Sequence, residues 1–436
     1  VILVAVLGIG AWRVARTTPG RAVRTGAVAG GVASIVNLLI LGSVVSPEGD
    51  MAAFAVAAIG SIAAAMGLGA VAGRLAARGA AGPAPGSLDV ADWRHAMVVV
   101  ASVATFFVVI AGGLVTSTET GLAVPDWPNT EGSNMFAYPL EKMVGGIYYE
   151  HAHRLYGALV GLCTVATAIV ILATGEPRRW VRRLSLAAVV MVCIQGLMGG
   201  LRVTGTLTLA TEGPELQPNT GLAIAHGIFG QCFFATMVAM AAFTSRSWRN
   251  APLRPAAGEE TPTAIAASGR TLTAVVLVLL LAQLASGAGY RHLYSAEVKL
   301  PWPAHIHLTL AMFAVVMSLV AGFKTSSRGG SHDRPLRRAG LSMNVLVGLQ
   351  ALLGGAALVA ILAREGEPYA AEVLLATAHQ ANGALVLAVA GLLVAWTRRL
   401  PAPLRSEEAA ALTSVDRFDE ELRAAAPAAT TATSAG

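Results

Sequence analysis

Charged residues and cysteines are both scarce in this chain of 436 residues. Asp, Glu, Lys and Arg make up 13% of it, against roughly 25% in soluble domains, which excludes an ordinary soluble protein. The three cysteines, Cys163, Cys193 and Cys232, all lie within apolar segments. This position argues against an external disulfide framework and favours small residues of a packed core.

Long apolar runs replace the missing charge. Hydrophobic residues make up 55% of the sequence and the mean hydropathy is +0.63. About 20 apolar residues cross a hydrocarbon layer of roughly 30 Å. Ten stretches of this kind occur, near 27–46, 52–73, 97–116, 146–173, 184–203, 219–243, 270–289, 302–323, 339–362 and 373–397. The sequence therefore predicts an all-α polytopic membrane protein. Residues 1–12 are also apolar but too few to cross the membrane. They are expected to be the end of a further span that begins upstream of Val1.

The positive charge follows membrane topology rather than nucleic-acid binding. The net charge is +6, but 23 of the 31 Lys and Arg residues lie in alternate connections between apolar runs. By the positive-inside rule these connections are cytoplasmic. This predicts a multi-pass protein of the cell (inner) membrane with a cytoplasmic C-terminus. The Ala- and Thr-rich segment 401–436 cannot bury enough apolar surface and is expected to be a disordered cytoplasmic tail.

One histidine pattern occurs twice within the apolar segments. The first copy is His151-Ala152-His153, then Gln195 to Gly200, then His226; the second is His305-Ile306-His307, then Gln350 to Gly355, then His379. His307 lies 154 residues after His153, and His379 lies 153 residues after His226. Ionisable residues in a membrane span indicate function, because each polar group must find a partner away from water.

The repeat predicts a duplicated four-helix transmembrane bundle with eight core spans and extra N-terminal spans. The predicted parts are an N-terminal module (1–96), a first half (97–250), a second half (262–400) and the tail. Each half has an even number of spans, so the two copies share one orientation and an axis along the membrane normal. A Trp-Pro pair precedes the first histidine helix of each half, at Trp127 and Trp302, so the repeat extends beyond the histidines. The alternative interpretation is that each tryptophan is an interfacial aromatic anchor.

Each half places one histidine near the outer end of its second span and one near the outer start of its fourth. Two facing imidazoles in an apolar bundle suit the axial positions of a haem iron. A zinc site would require further ligands beside the two histidines. The alternative to a ligand role is that each histidine only forms hydrogen bonds that pack helices together. In each His-x-His, positions two apart point about 200° apart, so only one can face the interior.

A single carboxylate distinguishes the two sites. Glu150 shares a helix face with His153, whereas the matching position in the second half is Ala304. This asymmetry suggests that one haem carries electrons and the other is acted upon. The alternative is an ion pair between Glu150 and Arg154, four residues apart on one helix. Arg154 could also meet a haem propionate.

These residues resemble the haem A synthase family. The resemblance covers about 300 residues and rests on Gly112-Gly113-Leu114-Val115-Thr116, on Gly121-Leu122 with Pro125-Asp126-Trp127-Pro128, and on Glu150-x-x-His153-Arg154. It implies oxidation of the C8 methyl group of haem O to a formyl group by successive hydroxylations. It also implies His153 and His226 around the substrate haem, Glu150 as the catalytic carboxylate, and His307 and His379 as ligands of a haem b cofactor, all near the outer face.

The chain departs from the family pattern in its first external loop. Many members carry a cysteine pair there, whereas Asn129-Thr130-Glu131-Gly132 follows the Trp-Pro in this chain. A thiol-based step in electron delivery or haem transfer is therefore in doubt. The resemblance implies three partners: haem O, the farnesyltransferase that produces it and an unidentified electron donor. The sequence does not decide whether the protein forms a homo-oligomer.

Two other functions remain as alternatives. One is a transmembrane di-haem b electron carrier that does no chemistry on its haem. Haems at a single depth argue against it, because a carrier would stack haems across the bilayer. The other is a transporter whose repeats gate a pathway, with the histidines as proton sites.

Overall fold

The computed structural model describes residues 51–78, 90–205, 219–251, 263–293, 299–327 and 334–399, with 23–24, 26–31 and 34. Within these ranges nine helices are long and apolar enough to cross a membrane. They are α1 (Met51–Arg78), α2 (Val90–Ser117), α3 (Gly145–Ala173), α4 (Arg179–Thr204), α5 (Thr220–Thr244), α6 (Thr263–Leu293), α7 (Trp302–Ser326), α8 (Arg334–Leu362) and α9 (Ala370–Arg399). The prediction of an all-α polytopic membrane protein is confirmed.

The helices begin and end where local chemistry requires it. Asn219 caps α5 by accepting a hydrogen bond from the backbone N–H of Leu222 at 2.9 Å. Pro303 lies in the first turn of α7, where its missing N–H costs nothing. Gly205 ends α4 in the left-handed conformation, with φ of 67°. Nine of the ten predicted spans thus correspond to helices, and most of the other, 27–46, lies outside the described residues.

Buried hydroxyl groups find partners within their own helices. Thr105, Thr164 and Thr325 each donate to the carbonyl oxygen four residues earlier, at 2.7 Å. Such bonds matter because the hydrocarbon layer offers no water to a polar group. The helices can therefore carry threonine in buried positions at little cost.

The eight helices from α2 to α9 form two rings of four. In the first ring α2 contacts α3, α3 contacts α4, α4 contacts α5, and α5 returns to α2. In the second ring α6 to α9 repeat the same sequence of contacts. The rings meet through their first and last helices, since α9 packs on both α2 and α5, and α5 packs on α6. This pattern is what a twofold relation between two copies produces.

Buried apolar residues form one cluster in each ring and one between the rings. Phe233 and Met237 belong to the first, Met343 and Leu393 to the second. The cluster between the rings includes Phe234, with Val109, Ala384 and Ala388. The predicted division at 97–250 and 262–400 stays a prediction, as do the boundaries of the N-terminal module. The tail at 401–436 lies outside the described residues.

Helix α1 packs closely against the helical residues that precede it. A Cβ atom added to Gly26 would lie 2.1 Å from the carbonyl oxygen of Gly69. Only glycine allows backbones to approach so closely, as in many membrane helix pairs.

Candidate functional site

The structure brings the four histidines together as two separate pairs. His153 on α3 faces His226 on α5, with ring centres 6.3 Å apart and ring planes at 80°. His307 on α7 faces His379 on α9, with ring centres again 6.3 Å apart and planes at 85°. The two pairs therefore have almost the same geometry at matching positions of the two rings.

A glycine faces each of the four histidine rings. A Cβ atom added to Gly112 or Gly199 would lie 3.0 or 3.1 Å from Cε1 of His153 or His226. The corresponding distance is 2.7 Å both from Gly287 to His307 and from Gly354 to His379. In every case the nearest atom is Cε1. Each imidazole thus rests against the bare backbone of the preceding helix.

Three of these glycines follow a glutamine by four residues, which places both on one helix face. Nε2 of Gln195 lies 3.3 Å from Nε2 of His226 and donates to the carbonyl oxygen of that residue at 3.0 Å. Gln283 has the same two contacts with His307. Nε2 of Gln350 lies 3.4 Å from Nε2 of His379. The fourth glycine, Gly112, follows Val108, so the glutamine is missing beside His153.

The hydrogen bonds of Nδ1 set His307 apart from the other three histidines. Nδ1 of His307 lies 3.0 Å from the carbonyl oxygen of Gln283 and 3.4 Å from Oγ of Ser286. Nδ1 of His153, His226 and His379 is buried without a hydrogen-bond partner among the described residues. His307 is therefore the histidine whose orientation is best supported by hydrogen bonds.

Glu150 and Arg154 together hold the loop between α2 and α3. Glu150 is buried, at 4% exposure, and accepts hydrogen bonds from the N–H of Val124 at 2.9 Å and from Arg154 at 2.7 Å. Arg154 also donates to the carbonyl oxygens of Val124, Asp126 and Asn129, at 2.7 to 2.8 Å. The ion pair considered as an alternative is thus present. The predicted propionate contact of Arg154 stays a prediction, and these contacts occupy both of its terminal nitrogens.

The same loop is stabilised at its tip by Asp126. Its carboxylate accepts hydrogen bonds from the backbone N–H groups of Glu131 and Gly132, both at 2.8 Å. Burial opposes ionisation of Asp126, but these N–H groups and the charge of Arg154 hold its pKa below the ordinary value. Burial and hydrogen bonding to Glu131 raise the pKa of Tyr138 to about 12.

The other member of each His-x-His points away from the pairs. His151 is almost fully buried, with Nδ1 3.0 Å from Oγ1 of Thr130 and its ring 5.1 Å from that of Tyr138. His305 is exposed. Helical geometry predicted that only one histidine of each pair could face inward, and the structure selects His153 and His307.

The two Trp-Pro copies have different surroundings. The indole of Trp127 lies against α4, so that a Cβ atom added to Gly200 would lie 2.4 Å from it. Gly200 is next to Gly199, which faces His226. Both tryptophans are nevertheless exposed, Trp127 at 41% and Trp302 at 69%, as interfacial anchors would be.

Arg202 near the end of α4 is a cation of the first site that the sequence pattern did not single out. Its Nη2 would lie 2.6 Å from a Cβ atom added to Gly121, and its Nε is buried without a partner among the described residues. Its charge acts on both His153 and His226. The matching position of the second half, 155 residues later, is the buried Ala357. An arginine without a counterpart in the repeat was the available signal.

Residues 95–305 match the profile of a family described as "Cytochrome oxidase assembly protein". These residues, just under half of the chain, are thus similar to the cytochrome oxidase assembly protein family. The resemblance stated from the motifs is thereby confirmed at the level of the family. The match includes His153 and His226 and ends two residues before His307.

A curated relative matches a smaller part of the chain. It is a protoheme IX farnesyltransferase from Haloarcula marismortui, 29% identical over 134 residues. The aligned part is 31% of this chain and 26% of that relative. The chain therefore aligns with only about a quarter of the length of this curated protein.

The residues of both sites fit a haem iron. With metal–nitrogen distances of about 2 Å, as for zinc and imidazole, a metal ion between two imidazoles puts their centres about 6 Å apart, close to the distance in each pair. The glycines leave room for the rings, and three rings have a nitrogen without a partner in the described part of the chain. A site of three or more His, Cys, Asp or Glu is not found among the described residues.

Proposed function

We propose that this protein is a haem A synthase, a membrane-bound oxidoreductase that converts the C8 methyl group of haem O into a formyl group. The observation that carries the proposal is the recurrence of one histidine pair, with ring centres 6.3 Å apart, in each ring of helices. Similarity of residues 95–305 to the cytochrome oxidase assembly protein family supports it.

The first site is proposed to hold the substrate, with His153 and His226 on either side of the haem O iron. Three features set it apart from the second site: Glu150, Arg202 and the loop that carries Trp127. A substrate must enter and leave, and the lack of a glutamine beside His153 suits a ligand that is exchanged. The second site, with His307 and His379, is proposed to hold haem b, which would supply electron transfer.

The oxidation balances in two steps. Each hydroxylation replaces one C–H bond of the methyl carbon by C–OH, with the oxygen atom taken from dioxygen. The second oxygen atom leaves as water, with two electrons and two protons from an external electron donor. Loss of water from the doubly hydroxylated carbon then leaves the formyl group.

Glu150 is the proposed carboxylate of this reaction. Its two oxygens are fixed by Val124 and Arg154 in a buried position, so its negative charge has a defined place. A fixed charge in a water-poor site can stabilise positive charge that develops at the oxidised carbon. Its second role is structural, because the ion pair with Arg154 holds the loop against α3.

Arg202 is the proposed contact for a carboxylate of the substrate. Both terminal nitrogens of Arg154 are engaged by the loop and by Glu150, whereas Nε of Arg202 has no partner in the described part of the chain. A guanidinium matches the planar geometry of a carboxylate. Arg202 is therefore better suited than Arg154 to a propionate group.

The sites are proposed to lie near the outer face of the cell membrane, with the C-terminus in the cytoplasm. The support is the distribution of Lys and Arg between alternate connections. A haem O-producing farnesyltransferase is the proposed supplier of substrate. Similarity of part of the chain to a protoheme IX farnesyltransferase is consistent with this connection.

Haem analysis tests the function directly. The chain is co-expressed with a haem O-producing farnesyltransferase, and extracted haems are identified by chromatography and mass. Accumulation of haem A only when both proteins are present supports the proposal. Haem b alone would indicate an electron carrier, and absence of any haem would favour a transporter.

A further inference from the structure

A cavity of ≈ 370 Å³ lies at the opposite membrane face from the histidine pairs. It is formed by the start of α2, the connection between α3 and α4, the segment after α5 and the end of α9. Four arginines line it, together with two tryptophans and one glutamate: Arg94, Arg178, Arg249, Arg399, Trp180, Trp248 and Glu176. We call this cavity the arginine pocket. Its volume falls in the range of about 300–1,000 Å³ that small-ligand sites occupy.

Among the described residues, two carboxylates contact the arginines of the arginine pocket. Glu176 accepts from Arg94 at 3.1 Å and from Arg178 at 2.6 Å. Burial opposes ionisation of Glu176, but the two arginines hold its pKa below the ordinary value. Arg249 pairs with Asp92 at 2.8 Å. In the described part of the chain, three of the four arginines thus contact two carboxylates, and Asp92 also pairs with Arg246.

Arg399 contributes a charge without a carboxylate beside it in the described residues. Its Nη2 donates to the carbonyl oxygens of Trp248 and Ala251, at 3.2 and 3.3 Å. Its Nε is buried and has no hydrogen-bond partner in the described part of the chain. A buried donor of this kind is costly unless a ligand completes it.

Aromatic rings give the arginine pocket an amphipathic wall. The Trp180, Phe243 and Trp248 rings stack edge to face in sequence, with centres 5.1 and 4.7 Å apart. Arg178 lies over Trp180, and Arg399 lies 5.5 Å from the ring centre of Trp248. Tryptophan is enriched at the level of the lipid headgroups because one side of its ring is apolar and the other polar.

We propose that the arginine pocket binds the phosphate headgroup of an anionic phospholipid of the cytoplasmic leaflet. The face carries most of the chain's arginines, which by the positive-inside rule is cytoplasmic, and basic pockets between membrane helices suit such headgroups. Arg399 comes from the second ring and the other arginines come from the first or from the segment that follows it. A bound headgroup therefore links the two rings.

Lipid-dependent stability of the purified full chain tests the proposal. The protein in neutral detergent is titrated with phosphatidylglycerol, with phosphatidylcholine or with inorganic phosphate, and its Tm is followed. We expect phosphatidylglycerol alone to raise Tm. Arg399→Ala should weaken this response at least about fivefold, the effect of one basic residue near an anionic leaflet. Arg398→Ala is the matched control, because Arg398 is adjacent but exposed and outside the arginine pocket.

Three results would overturn the proposal. They are equal responses to the two lipids, equal losses in Arg399→Ala and Arg398→Ala, and a full response to inorganic phosphate, which would indicate a free-phosphate site. If Arg399→Ala does not fold, native mass spectrometry of the wild-type protein decides. Retention of phosphatidylglycerol over phosphatidylcholine supports the site, and equal retention contradicts it.

Discussion

Glu150 and Arg154 form a buried ion pair, with 2.7 Å between Oε1 and Nη2, and the loop of residues 124–129 is hydrogen bonded to both side chains. The four-residue spacing on α3 brings the charges together. Removal of one partner leaves the other buried and uncompensated, which is strongly destabilising. The carboxylate holds the loop, and its proposed role in catalysis requires a separate test.

Substitution of Glu150 separates the two roles. Glu150→Gln keeps the size of the side chain but removes its charge, and we expect haem A formation to fall about 100-fold, the scale of losing one electrostatic contact in an active site. Haem b content should stay unchanged, as measured by the spectrum of the purified protein. Full activity in Glu150→Gln would show that the charge has no catalytic role. Poor folding shared by Glu150→Ala and Arg154→Ala would mark the pair as structural.

Loss of either histidine of the second site should remove haem b. His307→Ala or His379→Ala would remove one of the two imidazoles proposed to hold haem b, so the low-spin spectrum should disappear and most of the bound haem b should be lost. His305→Ala is the control, since His305 is exposed and belongs to neither pair. A variant at His379 that retains its haem and its low-spin spectrum would contradict the assignment.

The glycine contacts predict a sharp positional effect. In Gly354→Ala the new methyl group would lie 2.7 Å from Cε1 of His379, so the ring must move; overpacking of this kind costs about 1–3 kcal/mol. We expect reduced haem b binding in spectroscopic titration. Gly355→Ala places a methyl group with no atom within 4 Å and should bind normally. Equal behaviour of the two variants would show that the ring has room to shift.

Arg202 predicts selective recognition of the substrate carboxylate. Arg202→Gln should weaken binding of haem O at the first site, while haem b at the second site stays bound, because the matching residue there is Ala357. Binding is measured by spectroscopic titration of the purified protein. Equal weakening with a haem whose propionates are esterified would exclude a carboxylate contact, since only the free acid carries the charge.

Acid should weaken a contact between the two rings of helices, which is formed by the connections that follow α2 and α8. Arg364 donates to Glu119 at 2.8 Å, and this hydrogen bond holds the pKa of Glu119 below its ordinary value of 4.5. A lowered pKa in the folded state stabilises the protein above the unfolded pKa, and the benefit is lost as pH falls through the folded pKa. Wild-type Tm should therefore drop more than that of Glu119→Gln below pH 4.5. The exposed Glu367→Gln serves as control, and an identical drop in all three would refute this contribution.

Much of the fold followed from simple patterns in the chain. The long apolar runs predicted nine of the helices because the hydrocarbon layer requires apolar length and internal hydrogen bonding. The repeated His-x-His and the later histidine predicted two matching sites. The contacts of Arg154 with three loop carbonyls could not be predicted, because they depend on the path of a loop without regular structure.

The sequence by itself determined the class of the protein, the number of apolar helices in its core and the presence of two repeat-matched histidine sites, each drawing on a His-x-His and a later histidine. These follow from composition and from a repeat, both of which are properties of the chain alone. The tertiary structure decided that His153 and His307 face the later histidines, that Gly199 and Gly354 support imidazole rings, and that Nε of Arg202 has no partner among the described residues. It also decided that the two rings of helices meet through α2, α5, α6 and α9. The physical reason is that such contacts depend on how helices approach and rotate against each other, which helical periodicity leaves open.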